Sequence, residues 1–249
     1  MKNWFYLWIE KSLAYFTDKI VCISEAERIS AIKHNVADNT KLNVILNGID
    51  IQLIEKENAL AKSELGIPQD AFLVGMVGRI SPQKAPDIFI RSAKLIKEKI
   101  PNAWFIIVGD GELRKEIENY ANENQINLHI TGWTNQPYAY LKMFDLAMLL
   151  SRWEGFGLAI TEYMAAKVNF IATQVDAIPT IVNDKVNGIL VEVDSPEQVA
   201  DACFHLYTNK TLALKLREKA YETVCTKYNI HRVAQQHIKM FNDVMKYNK

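Results

Sequence analysis

The sequence is poor in cysteine and has no paired spacing of metal ligands. Its three cysteines, Cys22, Cys203 and Cys225, are far apart and odd in number, which argues against a disulfide scaffold or a cysteine-rich metal site. We therefore expect buried thiols in a reducing compartment. The five histidines are scattered, and His231 and His237 do not have the i, i+4 separation of a helical metal pair. No protein-bound metal is predicted.

Long apolar runs and an excess of one charge are also missing. The 29 basic and 29 acidic residues balance, and no Lys/Arg block is present, so a nucleic-acid-binding function is not expected. Near the amino terminus, charges at Glu10, Lys11, Asp18 and Lys19 interrupt the apolar stretch. The stretch resembles neither a membrane span nor a signal peptide. These features predict a cytoplasmic protein.

The amino-terminal segment is instead rich in aromatic side chains. Trp4, Phe5, Tyr6 and Trp8 all fall within the first ten residues, which is unusual for an exposed terminus. Two interpretations follow. Either the segment contacts a partner surface, which is a protein or the interfacial layer of a membrane, or it is an amphipathic helix packed on the chain's own core.

From residue 72 onward, short apolar runs rich in β-forming residues alternate with amphipathic stretches. This order predicts an α/β fold, a Rossmann-like parallel sheet covered by helices on both faces. The predicted strands are 72–77, 104–108, 128–130, 146–150, 168–172 and 189–193, and the predicted helices are 86–99, 112–124, 136–143, 157–167, 195–208, 212–226 and 230–247. Ligands on such sheets bind outside the carboxyl ends of the strands, so the residues after each strand are the candidates for a site.

The first 50 residues do not contain enough strands for a sheet of their own. A helix is predicted to begin at Ser24, with Glu27 three places later as a capping box. It lies between two short predicted strands, 19–23 and 43–46. We expect a domain boundary near residue 50. The predicted organisation is part of one domain at 1–50, the main domain at 51–229 and a carboxyl-terminal helix at 230–249.

The most informative run follows the fourth predicted strand of the main domain. Glu154 and Glu162 flank a glycine-containing entry into a helix, formed by Gly155, Phe156, Gly157 and Leu158. Glycines let the backbone approach a ligand, and the N–H groups of a helix start suit phosphate oxygens. Carboxylates suit vicinal hydroxyls. This polarity fits a nucleotide sugar, while the alternative is a helix entry with two solvated glutamates.

Two cations and a tryptophan follow other strands. Arg79 and Lys84 come after the first strand and are able to clamp a diphosphate, although a solvated loop also carries such residues. Trp133 comes after the third strand, where it either lies against a nucleotide base or is a packed surface tryptophan. The run 109–111 lacks the third glycine of the dinucleotide fingerprint, with Arg114 in its place, so NAD binding is not expected.

Taken together, these motifs resemble the retaining glycosyltransferases of family 4, which have the GT-B fold. The resemblance extends from residue 24 to residue 188. It rests on Ser24-Glu25, Asn47-Gly48-Ile49-Asp50, Gly78-Arg79 with Lys84, Val108-Gly109-Asp110-Gly111, Gly132, Glu154-Gly155-Phe156-Gly157-Leu158 with Glu162, Ile178-Pro179 and Asn187-Gly188.

The resemblance implies the donor-binding half of a GT-B enzyme with a remnant of the acceptor domain at 1–50. In this scheme Arg79 and Lys84 hold the diphosphate, Glu154 is the catalytic residue that contacts the donor sugar, and Glu162 binds ribose hydroxyls. The backbone of residues 156–158 approaches the sugar and phosphate. The implied reaction moves a hexose from a UDP- or GDP-linked donor to a glycan or lipid-linked acceptor, with retention and without a metal or other cofactor.

The sequence departs from the family pattern in two ways. Glycines of the family are replaced at Ala85, Lys167 and Asp176-Ala177. In addition, only the last helix, strand and helix of the acceptor domain are present, without its glycine-rich loop and catalytic histidine. We therefore expect a partner at the aromatic amino terminus, either a separately encoded amino-terminal domain or a second copy. Peripheral contact with the inner face of the cytoplasmic membrane is the other expectation.

Two other functions compete with transfer. One is a non-catalytic nucleotide-sugar-binding protein or a degenerate transferase fragment that folds without turnover. The other is a GT-B sugar-nucleotide epimerase, although Glu154 and Glu162 together with Arg79 and Lys84 match the transferase pattern.

Overall fold

The computed structural model describes residues 2–247. The strands are β1 Ile20–Cys22, β2 Leu42–Val44, β3 Phe72–Val77, β4 Ala103–Val108, β5 Leu128–Ile130, β6 Leu146–Leu149, β7 Asn169–Thr173 and β8 Ile189–Val191. The α-helices are α1 Lys2–Tyr15, α2 Glu25–Lys33, α3 Ile51–Lys56, α4 Pro86–Lys99, α5 Arg114–Glu123, α6 Pro137–Leu141, α7 Leu158–Ala165, α8 Ile178–Ile181, α9 Pro196–Thr208, α10 Lys210–Lys227 and α11 Ile230–Tyr247.

The chain divides into two compact units. The smaller consists of Met1–Asp50 with Lys227–Lys249, and the larger of Ile51–Thr226. All of the predicted donor-site residues belong to the larger unit. Its sheet has six parallel strands in the order β5-β4-β3-β6-β7-β8. The predicted α/β class, a Rossmann-like parallel sheet flanked by helices, is confirmed.

The central strands of this sheet are buried on both faces, as expected for a parallel sheet that is covered by helices, whereas the edge strand β5 is only partly buried. Every residue of β6 is buried, and α4 turns Ile88, Phe89, Ala93 and Ile96 toward the core. Helix α4 packs against α9 on one face of the sheet. In α9, Cys203 is fully buried, but Cys225 in α10 is only partly buried. The expectation of three core thiols is therefore wrong for Cys225.

The strand order reverses between β3 and β6. From β3 the chain crosses to β4 on one side, while from β6 it crosses to β7 on the other. Such a reversal opens a crevice at the carboxyl ends of the two strands, because the two connections leave in opposite directions. Residues 78–85 follow β3 and residues 150–157 follow β6. Both predicted motifs of the donor site therefore lie at this crevice.

Three positions at which the family resemblance implies glycine have a left-handed backbone. The φ angle is 49° at Ala85, 56° at Lys167 and 43° at Asp176. A side chain makes this conformation unfavourable by roughly 1–2 kcal/mol, because Cβ approaches the carbonyl oxygen. The chain thus keeps backbone conformations that glycine adopts without strain, although it carries other residues there.

In the smaller unit, β1 and β2 form a parallel pair. The predicted helix start is confirmed, since the Oγ of Ser24 accepts a hydrogen bond of 3.1 Å from the N–H of Glu27. The carboxylate of Glu27 accepts one from the N–H of Ile23. The carboxyl-terminal residues belong to the same unit, and the N–H of Ile49 donates to the carbonyl of Tyr228 at 2.8 Å.

Helix α1 exposes its aromatic side chains. The exposed fractions are 75% for Trp4, 57% for Phe5, 61% for Tyr6 and 58% for Trp8. The interpretation that these side chains pack on the chain's own core is therefore wrong. Over residues 2–247, no helix is both long and apolar enough to cross a membrane.

The strain at Lys167 predicts the effect of restoring glycine. We expect the free energy of unfolding of Lys167→Gly to be about 1 kcal/mol higher than that of Lys167→Ala, because both lose the lysine side chain and only glycine relieves the left-handed strain. This corresponds to a rise of roughly 2–4 °C in Tm by calorimetry. Lys167→Ala is the matched control: it keeps the left-handed strain and loses the contact of the ammonium group with the Tyr221 ring, at 4.1 Å from the centroid. A Tm for Lys167→Gly at or below that of Lys167→Ala would contradict the prediction.

Candidate functional site

An ion pair lies at the centre of the crevice. Lys84 ends a short 3-10 turn after β3, and its Nζ is 2.5 Å from Oε2 of Glu154, which follows β6. The side chains are only 19% and 11% exposed. The structure therefore brings together two of the predicted site residues, one cation and one carboxylate, from the two sides of the strand reversal.

Two further contacts orient the loop that carries Glu154. The hydroxyl of Ser151 donates to the Glu154 carboxylate at 3.1 Å. The backbone N–H of Glu154 donates to Oδ2 of Asp176 at 2.7 Å. Asp176, at a position where the family resemblance implies glycine, thus uses one carboxylate oxygen to bind the loop backbone.

The loop then enters α7 through Gly157. This residue has a φ of 91°, and a Cβ on it would lie 2.5 Å from the Ile178 side chain, so only glycine fits this turn. Phe156 is buried and anchors the loop, whereas the side chain of Leu158 is about half exposed. At Gly155 a Cβ would meet no heavy atom within 4 Å, so the loop has an open side. Among the described residues, no side chain caps the amino end of α7, whose N–H groups suit an anion.

Glu162 lies one turn into α7 and is largely buried beside the ion pair. Burial raises the pKa of the Glu162 carboxyl above its ordinary value, because the charged form loses solvation. The hydroxyl of Tyr138, which donates to Oε1 at 3.2 Å, and the positive charge of Lys84 act in the opposite direction. The result is a poorly hydrated carboxyl that can accept hydrogen bonds from ligand hydroxyls.

Tyr163, the next residue, holds the crevice in shape. β3 and β6 pair only through Val74 and Gly75 opposite Leu146 and Ala147. Beyond this pairing, the Tyr163 hydroxyl accepts from the N–H of Val77 at 3.2 Å and donates to the carbonyl of Met148 at 3.3 Å. These bonds satisfy backbone groups that the separating strands leave unpaired.

Arg79 is not part of this cluster. Its guanidinium lies 3.2 Å from the carboxylate of Glu112, and its side chain is 73% exposed. Solvent screens an ion pair this exposed, so the pair is weak and Arg79 can exchange Glu112 for another anion.

Arg79 instead lines a second part of the site, a cleft of about 220 Å³ at the carboxyl ends of β3, β4 and β5. Gly78, Gly109, Gly132 and Trp133 also line it. The side chain of Trp133 is 91% exposed, so the interpretation as a packed surface tryptophan is wrong. The cleft has glycine walls and one exposed indole, which suits a flat aromatic ring.

Several residues at the site carry no recognisable signal in the sequence. Tyr138 and Tyr163 lie in ordinary helical patterns, and Arg152 lies in a loop next to the Glu154 motif. The one signal for Ser151 and Arg152 is their place in the sequence between β6 and Glu154. Over the described part of the chain, no group of three or more His, Cys, Asp or Glu side chains is arranged to hold a metal ion.

Comparison with known proteins matches the sequence of this chain to one family. The family profile described as "Glycosyl transferases group 1" matches residues 57–223. The chain is 32% identical over 215 residues to the UDP-Gal:alpha-D-GlcNAc-diphosphoundecaprenol alpha-1,3-galactosyltransferase of Escherichia coli, with 83% of this chain and 56% of that protein covered. It is 26% identical over 226 residues to the poly(ribitol-phosphate) alpha-N-acetylglucosaminyltransferase of Staphylococcus aureus, with 90% and 43% covered. The chain spans about half the length of these curated relatives.

Solved structures share the fold. HepE of Anabaena, crystallised with UDP and glucose, superposes with a TM-score of 0.86 at 20% identity, covering 95% of this chain and 66% of HepE. The carboxyl-terminal domain of LpcC, a glycosyl transferase group 1 family protein of Francisella tularensis, gives a TM-score of 0.66 at 29% identity. That match covers 74% of this chain and all of the crystallised domain.

The raised pKa of Glu162 predicts a dependence of stability on pH. Between the pKa of the unfolded chain and the higher pKa of the folded protein, the folded state binds more protons, so stability falls as pH rises through this window. The loss persists at neutral pH. We expect Glu162→Gln to raise Tm at pH 7 and to leave it nearly unchanged at pH 3, below the ordinary pKa of glutamate, where the carboxyl is mostly protonated in both states.

Thermal unfolding across this pH range tests the expectation. Glu218→Gln, at an exposed position in the middle of α10, is the control and should shift Tm equally little at both pH values. A Tm of Glu162→Gln below that of the unmodified protein at pH 7 would show that the charged carboxylate stabilises the fold.

Proposed function

Because this chain belongs to the glycosyl transferases group 1, we propose that it is the donor-binding part of a retaining family 4 enzyme. The proposed reaction transfers a hexose from a UDP- or GDP-linked donor to a glycan or lipid-linked acceptor, in the synthesis of a surface polysaccharide. The observation that carries the proposal is the Lys84–Glu154 ion pair at the strand reversal, with Glu162 and the amino end of α7 beside it.

Donor binding exchanges the contacts of this ion pair. The ammonium group of Lys84 leaves Glu154 and binds a diphosphate oxygen, and Arg79 exchanges the exposed carboxylate of Glu112 for the same diphosphate. The released Glu154 carboxylate accepts hydrogen bonds from hydroxyls of the donor sugar. Glu162 accepts those of the ribose, as a carboxylate whose poor solvation strengthens each bond.

The same groups assist departure of the nucleoside diphosphate. As the bond from the anomeric carbon to the diphosphate breaks, negative charge accumulates on the leaving oxygens. The cations of Lys84 and Arg79 and the N–H groups that open α7 stabilise this charge. We propose that these groups suffice without a metal ion. The acceptor hydroxyl oxygen then bonds to the anomeric carbon on the face that the diphosphate leaves, and its proton passes to the departing diphosphate oxygen, so the configuration is retained.

The base occupies the cleft lined by Trp133. Its volume of about 220 Å³ is small, and the exposed indole offers a stacking face to one ring. HepE, with the same fold, was crystallised with UDP, which supports a uridine nucleotide here.

The acceptor is bound by a partner that contacts α1. We propose that an acceptor-binding domain or a second copy of this chain contacts Trp4, Phe5, Tyr6 and Trp8, whose side chains are 57–75% exposed. The E. coli relative is named for a diphosphoundecaprenol acceptor. A lipid-linked acceptor would place the reaction at the inner face of the cytoplasmic membrane, with the protein as a peripheral component.

Titration by calorimetry without added metal tests the donor site. The purified chain should bind UDP or GDP, or one of their sugars, with a Kd in the micromolar range. Lys84→Ala and Arg79→Ala should each weaken this binding at least about tenfold, because a charge-assisted contact with the diphosphate is lost. The control, Lys99→Ala, removes an exposed lysine that pairs with Asp201 on α9 and should bind as the unmodified chain does. Binding that survives Lys84→Ala unchanged would remove Lys84 from the site.

The substitution Glu154→Gln separates the proposed role of Lys84 in diphosphate binding from that of Glu154 in sugar binding. Without its anionic partner Lys84 is released, and we expect UDP or GDP to bind about fivefold more tightly. The sugar-linked donor should then bind no more tightly than the free nucleotide. In the assembled enzyme, Glu154→Ala should abolish transfer. Weaker binding of free UDP by Glu154→Gln would contradict the proposed exchange, and donor binding without transfer to any acceptor would favour a non-catalytic binding protein.

A further inference from the structure

Arg152 lies next to the proposed donor site, and its side chain donates four hydrogen bonds. Its two terminal nitrogens form a fork with the carboxylate of Asp87, at 3.0 and 2.6 Å. One of them also donates to the carbonyl of Pro82 at 3.0 Å, and Nε donates to Asp194 at 2.8 Å. Its side chain is only 26% exposed, so solvent screens these contacts less than those of a surface pair.

These contacts join the same two segments that the site residues occupy. Pro82 and Asp87 flank Lys84 in sequence, and Arg152 lies two residues before Glu154. The backbone adds to the connection, since the N–H of Arg152 donates to the carbonyl of Gln83 at 2.8 Å and the Gln83 side chain donates to the carbonyl of Trp153 at 3.1 Å. Two links therefore join the segment after β3 to the loop after β6. One is the Lys84–Glu154 ion pair, and the other is the set of hydrogen bonds around Arg152.

The two links differ in what donor binding does to them. In the proposed function, the Lys84–Glu154 pair opens when the diphosphate and sugar enter. The bonds of Arg152 go to Asp87, Pro82 and Asp194, none of which has a role in the proposed donor contacts. They are able to persist while the pair exchanges its partners.

We propose that Arg152 and Asp87 are positioning residues that hold Lys84 and Glu154 at the separation needed for donor binding, and that they retain this separation once the ion pair opens. The inference rests on the proposed function for its role in catalysis. The fork geometry matters, because a guanidinium fixes both the distance and the plane of the carboxylate that it binds, whereas an ammonium group fixes only distance.

Lysine labelling tests the positioning without any ligand. Acetic anhydride reacts with free amine, so Lys84 should be labelled slowly while it pairs with Glu154, and its rate is read by mass spectrometry relative to Lys219. Glu154→Gln sets the rate of a released Lys84. We expect Arg152→Met and Asp87→Asn to raise the Lys84 rate about fivefold, toward that value. The control, Lys99→Met, breaks the exposed ion pair between α4 and α9 and should leave it unchanged.

A double-mutant cycle in nucleotide binding tests the role in the donor site. If Arg152 acts through Lys84, Arg152→Met should weaken UDP or GDP binding about fivefold in the unmodified chain and hardly at all when Lys84→Met is present. A merely structural role would give the same loss in both backgrounds. Circular dichroism and Tm of each variant verify that the fold is retained.

Together, the labelling and binding measurements distinguish failure of the positioning proposal from failure of the proposed donor function. An unchanged Lys84 labelling rate in folded Arg152→Met and Asp87→Asn overturns the positioning, whether or not a nucleotide binds. A raised rate in a chain that binds no nucleotide supports positioning of the ion pair and overturns the donor function. Equal, additive losses of affinity in the cycle overturn the proposed action through Lys84.

Discussion

The reversal of strand order between β3 and β6 is the constraint on which the candidate site depends. The two strands pair through Val74 and Gly75 only, and beyond that pairing they separate and leave backbone groups that the sheet cannot satisfy. The Tyr163 hydroxyl fills this gap by bonding to both strands. The crevice is thus a consequence of parallel topology, stabilised by one buried side chain, and the loops that follow the two strands have no other place to meet.

The charged side chains of this crevice are placed to bind a ligand, and they do not serve the stability of the fold alone. Lys84 and Glu154 neutralise each other at low exposure, which avoids an isolated buried charge while keeping both groups in place for a ligand. Among the described residues no cation forms an ion pair with Glu162, and burial raises the pKa of its carboxyl, because the charged form loses solvation. A site of this kind sacrifices some stability of the fold for hydrogen-bonding strength toward a ligand.

Backbone conformation is retained where the residues have changed. Ala85, Lys167 and Asp176 occupy left-handed positions at which the family resemblance implies glycine, so the fold tolerates the strain of three side chains. At Asp176 the replacement adds a contact, because its carboxylate binds the N–H of Glu154. Such retention agrees with the close superposition on HepE at only 20% identity. Backbone hydrogen bonding and burial dictate the path of the chain, and many side chains satisfy them.

The sequence by itself determined the fold class, the approximate strands and helices, and the motifs of the Glu154 loop, because burial and helix starts leave local, periodic signals. It also pointed to Lys84 and Glu154 as separate candidates. Only the tertiary structure decided that these two side chains pair, that Arg79 lies with Glu112 instead, that Trp133 is exposed, and that Arg152 links the two loops. The reason is physical: contacts between loops depend on which strands are neighbours, and strand order is set by packing of the whole sheet rather than by any local pattern.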